Sequence, residues 1–351
     1  MTEVMDKNTT RESWVDYAKL FACVLVVLGH LFQSFDKTGI INGAGALYTT
    51  FEGVIYLFHV PVFFFCSGYL YQKLSKVDSA ESYVKSIWKK FLNLGIPYFT
   101  FTTITLGLKS LAGNNVASPV EYGFFSTMFL HPTSPYWFLY TLFFIFLVTP
   151  TINENSKIRN TISIIVVALV LKYTAPFLAF AGIKEIPFAV SSVMGNAIWF
   201  VLGMVCVSKN LLLFVNMKIA SCLLIFFPLS IIYAQHNGIK LAGGGITILG
   251  IAMTVSWFFI LDRKLPLQST LRKVLNSISK YTMQIFLLHT ICAAPIRVLL
   301  LKLGCNKFAM HLTFGVLTSF MLPIIIAIVA EKSKVLNVFF APVRIWNRVF
   351  K

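Results

Sequence analysis

Residues 11–35 read RESWVDYAKLFACVLVVLGHLFQSF. From Tyr17 to Phe35 the run is long and apolar enough to cross about 30 Å of hydrocarbon as a helix. Lys19 and His30 interrupt it, and Asp16 stands just before it in the same span. Comparable runs lie near 51–71, 91–111, 135–153, 161–181, 189–207, 216–234, 243–261, 281–301 and 309–330. They are continuously apolar rather than alternating, which excludes a membrane barrel. The expected fold is therefore all-α, a polytopic bundle of about ten transmembrane helices. The longest interruption is residues 111–133, LAGNNVASPVEYGFFSTMFLHPT, whose FFSTMFL piece is expected to form a short re-entrant or interfacial helix.

Composition agrees. Of 351 residues, 57% are hydrophobic and only 12% charged, with a mean hydropathy of +0.77. A soluble domain has roughly a quarter charged residues, so a soluble enzyme, a disordered chain and a disulfide-stapled module are excluded. The six cysteines (Cys23, Cys66, Cys206, Cys222, Cys292, Cys305) are scattered, with no metal-type spacing, and no metal is expected. No cleavable signal peptide is read, because the first apolar run is a full span.

The net charge is +17. With the N-terminus inside, 21 Lys and Arg fall on the cytoplasmic side and 6 outside (Lys37, Lys109, Lys184, Lys240, Lys302, Lys307), leaving Lys19, Lys172 and Arg297 within spans. This asymmetry predicts both termini cytoplasmic and argues against nucleic-acid binding. The chain reads as one transmembrane domain over 1–351, with a cytoplasmic segment 1–13 and a basic cytoplasmic tail 332–351.

Ionisable groups in lipid are functional candidates. Lys19 and His30 are eleven residues apart, so they share a helix face at about 16 Å along the axis, and Asp16 can pair with Lys19. The plain alternatives are an interfacial ion pair with a snorkelling lysine and a helix-to-helix hydrogen bond from His30; together on one helix, the three favour function. The second span, residues 51–74, reads FEGVIYLFHVPVFFFCSGYLYQKL. It adds Glu52, which an interfacial position also explains, and His59, beside a kink expected at Pro61. Ser67-Gly68 in this span permits close helix approach. Lys85, Lys89 and Lys90 precede the third span; the charge asymmetry explains most of such a cluster, and a phosphate-bearing cytosolic donor would also use it. Trp137 opens the fourth segment, where an aromatic-belt anchor is the plain reading. Gln284, His289 and Arg297 sit in the ninth, where bundle hydrogen bonding is the alternative to function. Asn196 and Lys172 are isolated and unassigned.

Four stretches carry a resemblance: WVDYAKLFACVLVVLGH (14–30), FHVPVFFFCSGYL (58–70), SPYWFLYTLFF (134–144) and SKYTMQIFLLH (279–289). In this order they resemble the membrane acyltransferase-3 family, within it the fucose-4-O-acetylase-like branch of sugar O-acetyltransferases. The resemblance implies an acyl-CoA-dependent enzyme of the bacterial cytoplasmic (inner) membrane. It would transfer acetyl from acetyl-CoA to a sugar hydroxyl of an envelope glycan (O-antigen, capsule or exopolysaccharide) or a lipid-linked saccharide. It also implies that His30 is the catalytic histidine, Lys19 its paired basic residue and Asp16 the preceding acid. Two features depart from the family: Lys89-Lys90 stands where two arginines spaced by three are frequent, and Phe286 where Tyr is usual. No separate esterase-like domain is read, so the membrane part is expected to perform the transfer.

A histidine titrating near neutrality suits a general base on the attacking hydroxyl; an acyl-histidine intermediate is the other route. Lys19 is too far from His30 to touch it, and fits the donor's pantetheine or phosphate portion. A transporter or flippase of glycan precursors is the competing class, disfavoured because neither paired broken helices nor an internal duplication is read. A receptor leaves the His30, His59 and Lys19 set unexplained. Membrane lipid surrounds either protein, and a homo-oligomer stays open.

Overall fold

The computed structural model describes residues 12–340 and 342, apart from 42–45, 76, 78, 114–115, 153–156, 183–185 and 239–243. Of the charges counted above, Lys7, Arg11, Lys76, Lys184, Lys240, Arg344, Arg348 and Lys351 lie outside the described residues, as do the side chains of Lys157, Arg159 and Lys334. All the regular secondary structure of the described part is helical. In chain order the helices are α1 (Ser13–Lys37), α2 (Ala46–Leu74), α3 (Ala80–Lys90), α4 (Ile96–Ala112), α5 (Phe124–Phe129), α6 (Trp137–Val148) and α7 (Lys157–Phe180). The second half adds α8 (Phe188–Ser208), α9 (Met217–His236), α10 (Gly244–Lys264), α11 (Thr270–Ser279), α12 (Thr282–Lys302), α13 (Phe308–Glu331) and α14 (Lys334–Phe340).

Among the described residues, nine helices are long and apolar enough to cross a membrane, and α6 is a shorter apolar helix. Together they account for the ten apolar segments of the sequence. The third of the nine runs without a break over Ala80–Ala112. A five-residue π-helical turn, Phe91–Gly95, joins α3 to α4. Within the stretch read as a basic tail, α14 is helical, and its Phe340 packs on Phe101 of α4, ring centroids 5.3 Å apart.

Contacts between helix ends show that the spans alternate in direction. On one face the Trp14 amide donates to Asp262 Oδ2 (3.2 Å), the Tyr17 hydroxyl to Asn276 Oδ1 (2.8 Å) and Gln72 Nε2 to the Ile152 carbonyl (3.0 Å). Lys73 pairs with Glu12 there. On the opposite face Gln235 Nε2 donates to Thr50 Oγ1 (2.9 Å) and Lys37 Nζ to Ser118 Oγ (2.8 Å). The first is the face that the charge asymmetry assigns to the cytoplasm.

Glycines set the tightest crossing, between α2 and α8. A Cβ at Gly68 would lie 1.9 Å from the Phe200 carbonyl oxygen, and one at Gly203 would lie 2.0 Å from that of Phe65. Only backbones without side chains can approach this closely, as small residues allow between membrane helices. An aromatic layer flanks the crossing: Phe138 of α6 packs on Phe63 (5.4 Å) and Phe64 (4.9 Å) of α2 and on Phe286 of α12 (5.7 Å).

The segment 116–136 turns back into the bundle. The Tyr98 hydroxyl, near the middle of the Ala80–Ala112 helix, donates to the Met128 carbonyl of α5 (2.7 Å). Tyr136 is fully buried and donates to the Leu287 carbonyl (3.0 Å), only five residues into α12. That bond uses its single proton, so the Thr105 hydroxyl is the donor in the 2.9 Å contact with Tyr136. The re-entrant form of the FFSTMFL piece is thus the one observed, with Phe125 76% exposed on its outer side. The apolar segment 135–153 correspondingly shrinks to the 12-residue α6, about 18 Å long and short of a full crossing.

Candidate active site

Beside the re-entrant segment lies a cavity of about 990 Å³. Its wall is built from the outer halves of α1, α4, α12 and α13 and from the re-entrant segment. Four of the chain's six histidines line it: His30, His131, His289 and His311.

At its floor the rings of His30 (α1) and His289 (α12) face each other, centroids 5.3 Å apart and tilted by 34°. Helix geometry fixes one of the pair. His289, 1% exposed, places Nδ1 2.9 Å from the Phe286 carbonyl and 3.1 Å from that of Ile285. Carbonyls only accept, so Nδ1 carries the proton and Nε2 keeps its lone pair. That Nε2 is buried with no hydrogen-bond partner. His30 is half-buried, with Gln33 one turn further on in reach of its ring. His311 of α13, also 1% exposed, donates from Nε2 to the Cys305 carbonyl (2.8 Å), leaving its Nδ1 without a hydrogen-bond partner.

Arg297 lies two turns beyond His289 on α12, is 6% exposed, and donates through Nη1 to the Ser34 hydroxyl of α1. Side chains lean toward a helix's N-terminus, which brings this guanidinium down toward His30. The packing therefore joins His30, His289 and Arg297 in one chamber.

The other sequence candidates sit elsewhere. His59 is buried on α2, with Nδ1 donating to the Ile55 carbonyl (2.5 Å) and its ring edge-on to Tyr56 (5.0 Å). Glu52 is half-buried beside Tyr48 and Tyr56. Ser67 is half-buried on α2 next to the Gly68 crossing. Trp137 follows the buried Tyr136, is itself half-buried and packs on Phe188 (6.4 Å) at the start of α8.

Asp16, Lys19, Lys85, Lys89 and Lys90 belong to the opposite end. Lys85 and Lys89 are exposed on α3. Lys90 is half-buried, with Nζ 4.3 Å above the Phe146 ring, and Lys19 is near enough to act on it electrostatically. The π-turn begins at the next residue; such turns recur at functional sites. Asp16 and Lys19 are both half-buried on α1. The face joining Lys19 to His30 passes through Cys23 (0% exposed) and Val26 (3%), and Cys23 Sγ meets the Thr282 carbonyl at 3.7 Å. In this structure that seam is closed by α12.

Sequence reasoning missed His131, His311, Tyr136 and the grouping of Lys37, Lys109 and Lys302 on the cavity wall. His311 could have been found by the rule that selected His30, since it stands in the apolar run 309–330. The others become visible only when the re-entrant segment is placed.

An all-helical membrane bundle with paired histidines under a cavity defines a candidate membrane enzyme of group transfer. The acyltransferase-3 family model, described as an acyltransferase domain, matches residues 12–330. The chain belongs to this family. It is 28% identical over 183 residues to the nodulation protein NolL of Mesorhizobium japonicum, covering 48% of this chain and 47% of the relative. It is 27% identical over 194 residues to the protein of the same name in Sinorhizobium fredii, with the same coverage. The match thus spans about half the length of each relative. No solved structure matches.

Proposed function

We propose that this protein is a membrane O-acetyltransferase of the fucose-4-O-acetylase-like branch. It would move acetyl from cytosolic acetyl-CoA to a sugar hydroxyl of a cell-envelope glycan or its lipid-linked precursor, in a bacterial cytoplasmic membrane. The observation that carries this reading is the His30–His289 pair at the floor of a cavity open away from the Lys19 end.

His30 takes the proton of the attacking hydroxyl as its oxygen adds to the thioester carbonyl. The C–S bond then breaks, and the thiolate of coenzyme A recovers that proton from His30. His289, held as the Nδ1–H tautomer, keeps a neutral, unpartnered Nε2 beside His30 that can accept from the imidazolium that forms. The donor's phosphates are assigned to Lys19 and Lys90 with Lys85 and Lys89 at the rim, and Asp16 positions Lys19. The axial separation of Lys19 and His30 is of the order of an extended pantetheine arm. For the thioester to reach His30, the seam at Cys23 and Val26 must part.

The test is acceptor-dependent thiol release from acetyl-CoA by the purified full chain, with His30→Ala alongside. Release should vanish in the variant while membrane insertion persists; continued acetylation by His30→Ala would refute the assignment. The competing transporter reading predicts no thiol release. One re-entrant segment is a feature transporters share, but no partner segment related to it is seen among the described residues.

A further inference from the structure

The outer half of the cavity carries an unexpected charge. The positive-inside pattern leaves few lysines on that face, yet Lys37 of α1, Lys109 of α4 and Lys302 of α12 all line the one cavity, above Arg297. Among the described lining residues, Glu121 is the only carboxylate. Lys37 and Lys109 are near enough to repel each other. Like charges drawn from three helices are unfavourable unless an anion joins them, and a concave wall of low dielectric focuses their field. Four cations against one carboxylate suit a multiply charged phosphoryl group better than a single carboxylate. Arg297 supplies a planar fork for it and the lysines supply mobile point charges.

Two further observations point to an amphiphile that carries a sugar. Leu108, Leu111 and Leu299 line the cavity and are also exposed, 44%, 87% and 52%, on helices that face lipid. The wall between α4 and α12 thus has an apolar flank continuous with the bilayer. At the mouth, Tyr122 and His131 stack at 3.9 Å with only 11° between their planes, and both are exposed. Such a pair offers a flat face to a sugar ring.

We infer that the outer cavity is an anion subsite: Lys37, Lys109, Lys302 and Arg297 bind a phosphoryl group of the acceptor and so hold its sugar hydroxyl over His30. This rests on the acyl-transfer reading for its purpose, but its test does not. The phosphoryl group has two possible sources, the diphosphate of a polyprenyl-linked saccharide entering sideways from lipid, or a phosphate on a soluble glycan.

The full chain in detergent, without acetyl-CoA, is titrated calorimetrically with farnesyl diphosphate, farnesol and inorganic diphosphate. Farnesyl diphosphate should bind and farnesol should not. The combined variant Lys37→Gln, Lys109→Gln, Lys302→Gln should weaken binding at least tenfold, and the corresponding triple Arg variant should stay within about threefold of the parent. The Arg variant separates loss of charge from loss of fold. Farnesyl diphosphate binding well above inorganic diphosphate assigns the group to a lipid carrier; equal binding assigns it to a soluble glycan phosphate. Either result supports the subsite. Absence of binding by both diphosphates, or unchanged affinity in the triple Gln variant, overturns it. Thiol release with an uncharged acceptor would leave acyl transfer intact even then, so the two readings fail separately.

Discussion

Substituting His289 by Asn and by Gln separates the two nitrogens of its ring. The Asn amide sits where Nδ1 does and keeps a donor for the Phe286 and Ile285 carbonyls, but nothing replaces Nε2. The Gln amide reaches the Nε2 position and gives up the anchoring bond, 2.9 Å at its shorter branch. Those carbonyls also serve the helix, so losing that bond costs about 1 kcal/mol of stability. Both variants should fold. If the Nε2 lone pair stabilises the imidazolium of His30, the Asn amide leaves that position empty, while the Gln amide can turn its Oε1 acceptor there and keep part of the effect. Acid–base partners of this kind contribute about 10² to 10⁴ in rate, or roughly 3–5 kcal/mol of barrier. His289→Asn should therefore lose at least about a hundredfold in turnover, with thermal stability within a few degrees of the parent. The assay is acceptor-dependent thiol release by the purified full chain, paired with a thermal unfolding scan. An Asn variant that retains turnover within threefold would refute the reasoning. It would leave His289 as a helix-anchored packing residue and His30 as a base acting alone.

Other substitutions test other parts. Lys90→Gln should raise the KM for acetyl-CoA about tenfold while changing kcat less than threefold, if its ammonium serves the donor as proposed and not the reacting atoms; an unchanged KM would remove Lys90 from the donor site. Gly203→Val puts a side chain where a Cβ already meets the Phe65 oxygen at 2.0 Å and the Tyr69 amide at 2.7 Å. Parting α2 from α8 should cost about 1–3 kcal/mol, read as a lower midpoint of thermal unfolding, and a parent-like midpoint would show that the crossing tolerates slack. Arg272→Met strips Asp262 of a 2.8 Å partner, with both side chains mostly buried. It should destabilise by about 3 kcal/mol, and the double variant with Asp262→Leu should recover part of that loss in the same scan; no recovery would mean that the arginine acts through packing.

The spans were legible because hydropathy is a local property. Among the described residues, nine long helices and one short one fall where the apolar runs do, and Lys19 and His30 share a face because helical spacing dictates it. What escaped was set by partners distant in sequence. Nothing in SPYWFLYTLFF says that Tyr136 is drawn inward by the Leu287 carbonyl and the Thr105 hydroxyl, and without that α6 reads as a full crossing. The pairing of His30 with His289 likewise depends on α1 and α12 lying side by side, 259 residues apart in sequence. Lys37, Lys109 and Lys302 could be counted but not placed, since charge counting discards position within a face.

The re-entrant segment has a price in water. Its non-helical backbone and the side chains of Thr133 and Ser134 line the cavity, and bare polar groups at membrane depth survive only beside protein or a hydrated space. The chamber must therefore stay wet, and water is itself a hydroxyl compound able to attack a thioester. On the proposed acyl-transfer reading, the packed seam at Cys23 and Val26 would keep the activated acyl group away from that water until a sugar has displaced it. Futile hydrolysis of the donor is then governed by how rarely α1 and α12 part, and shortening either buried side chain should raise acceptor-independent thiol release.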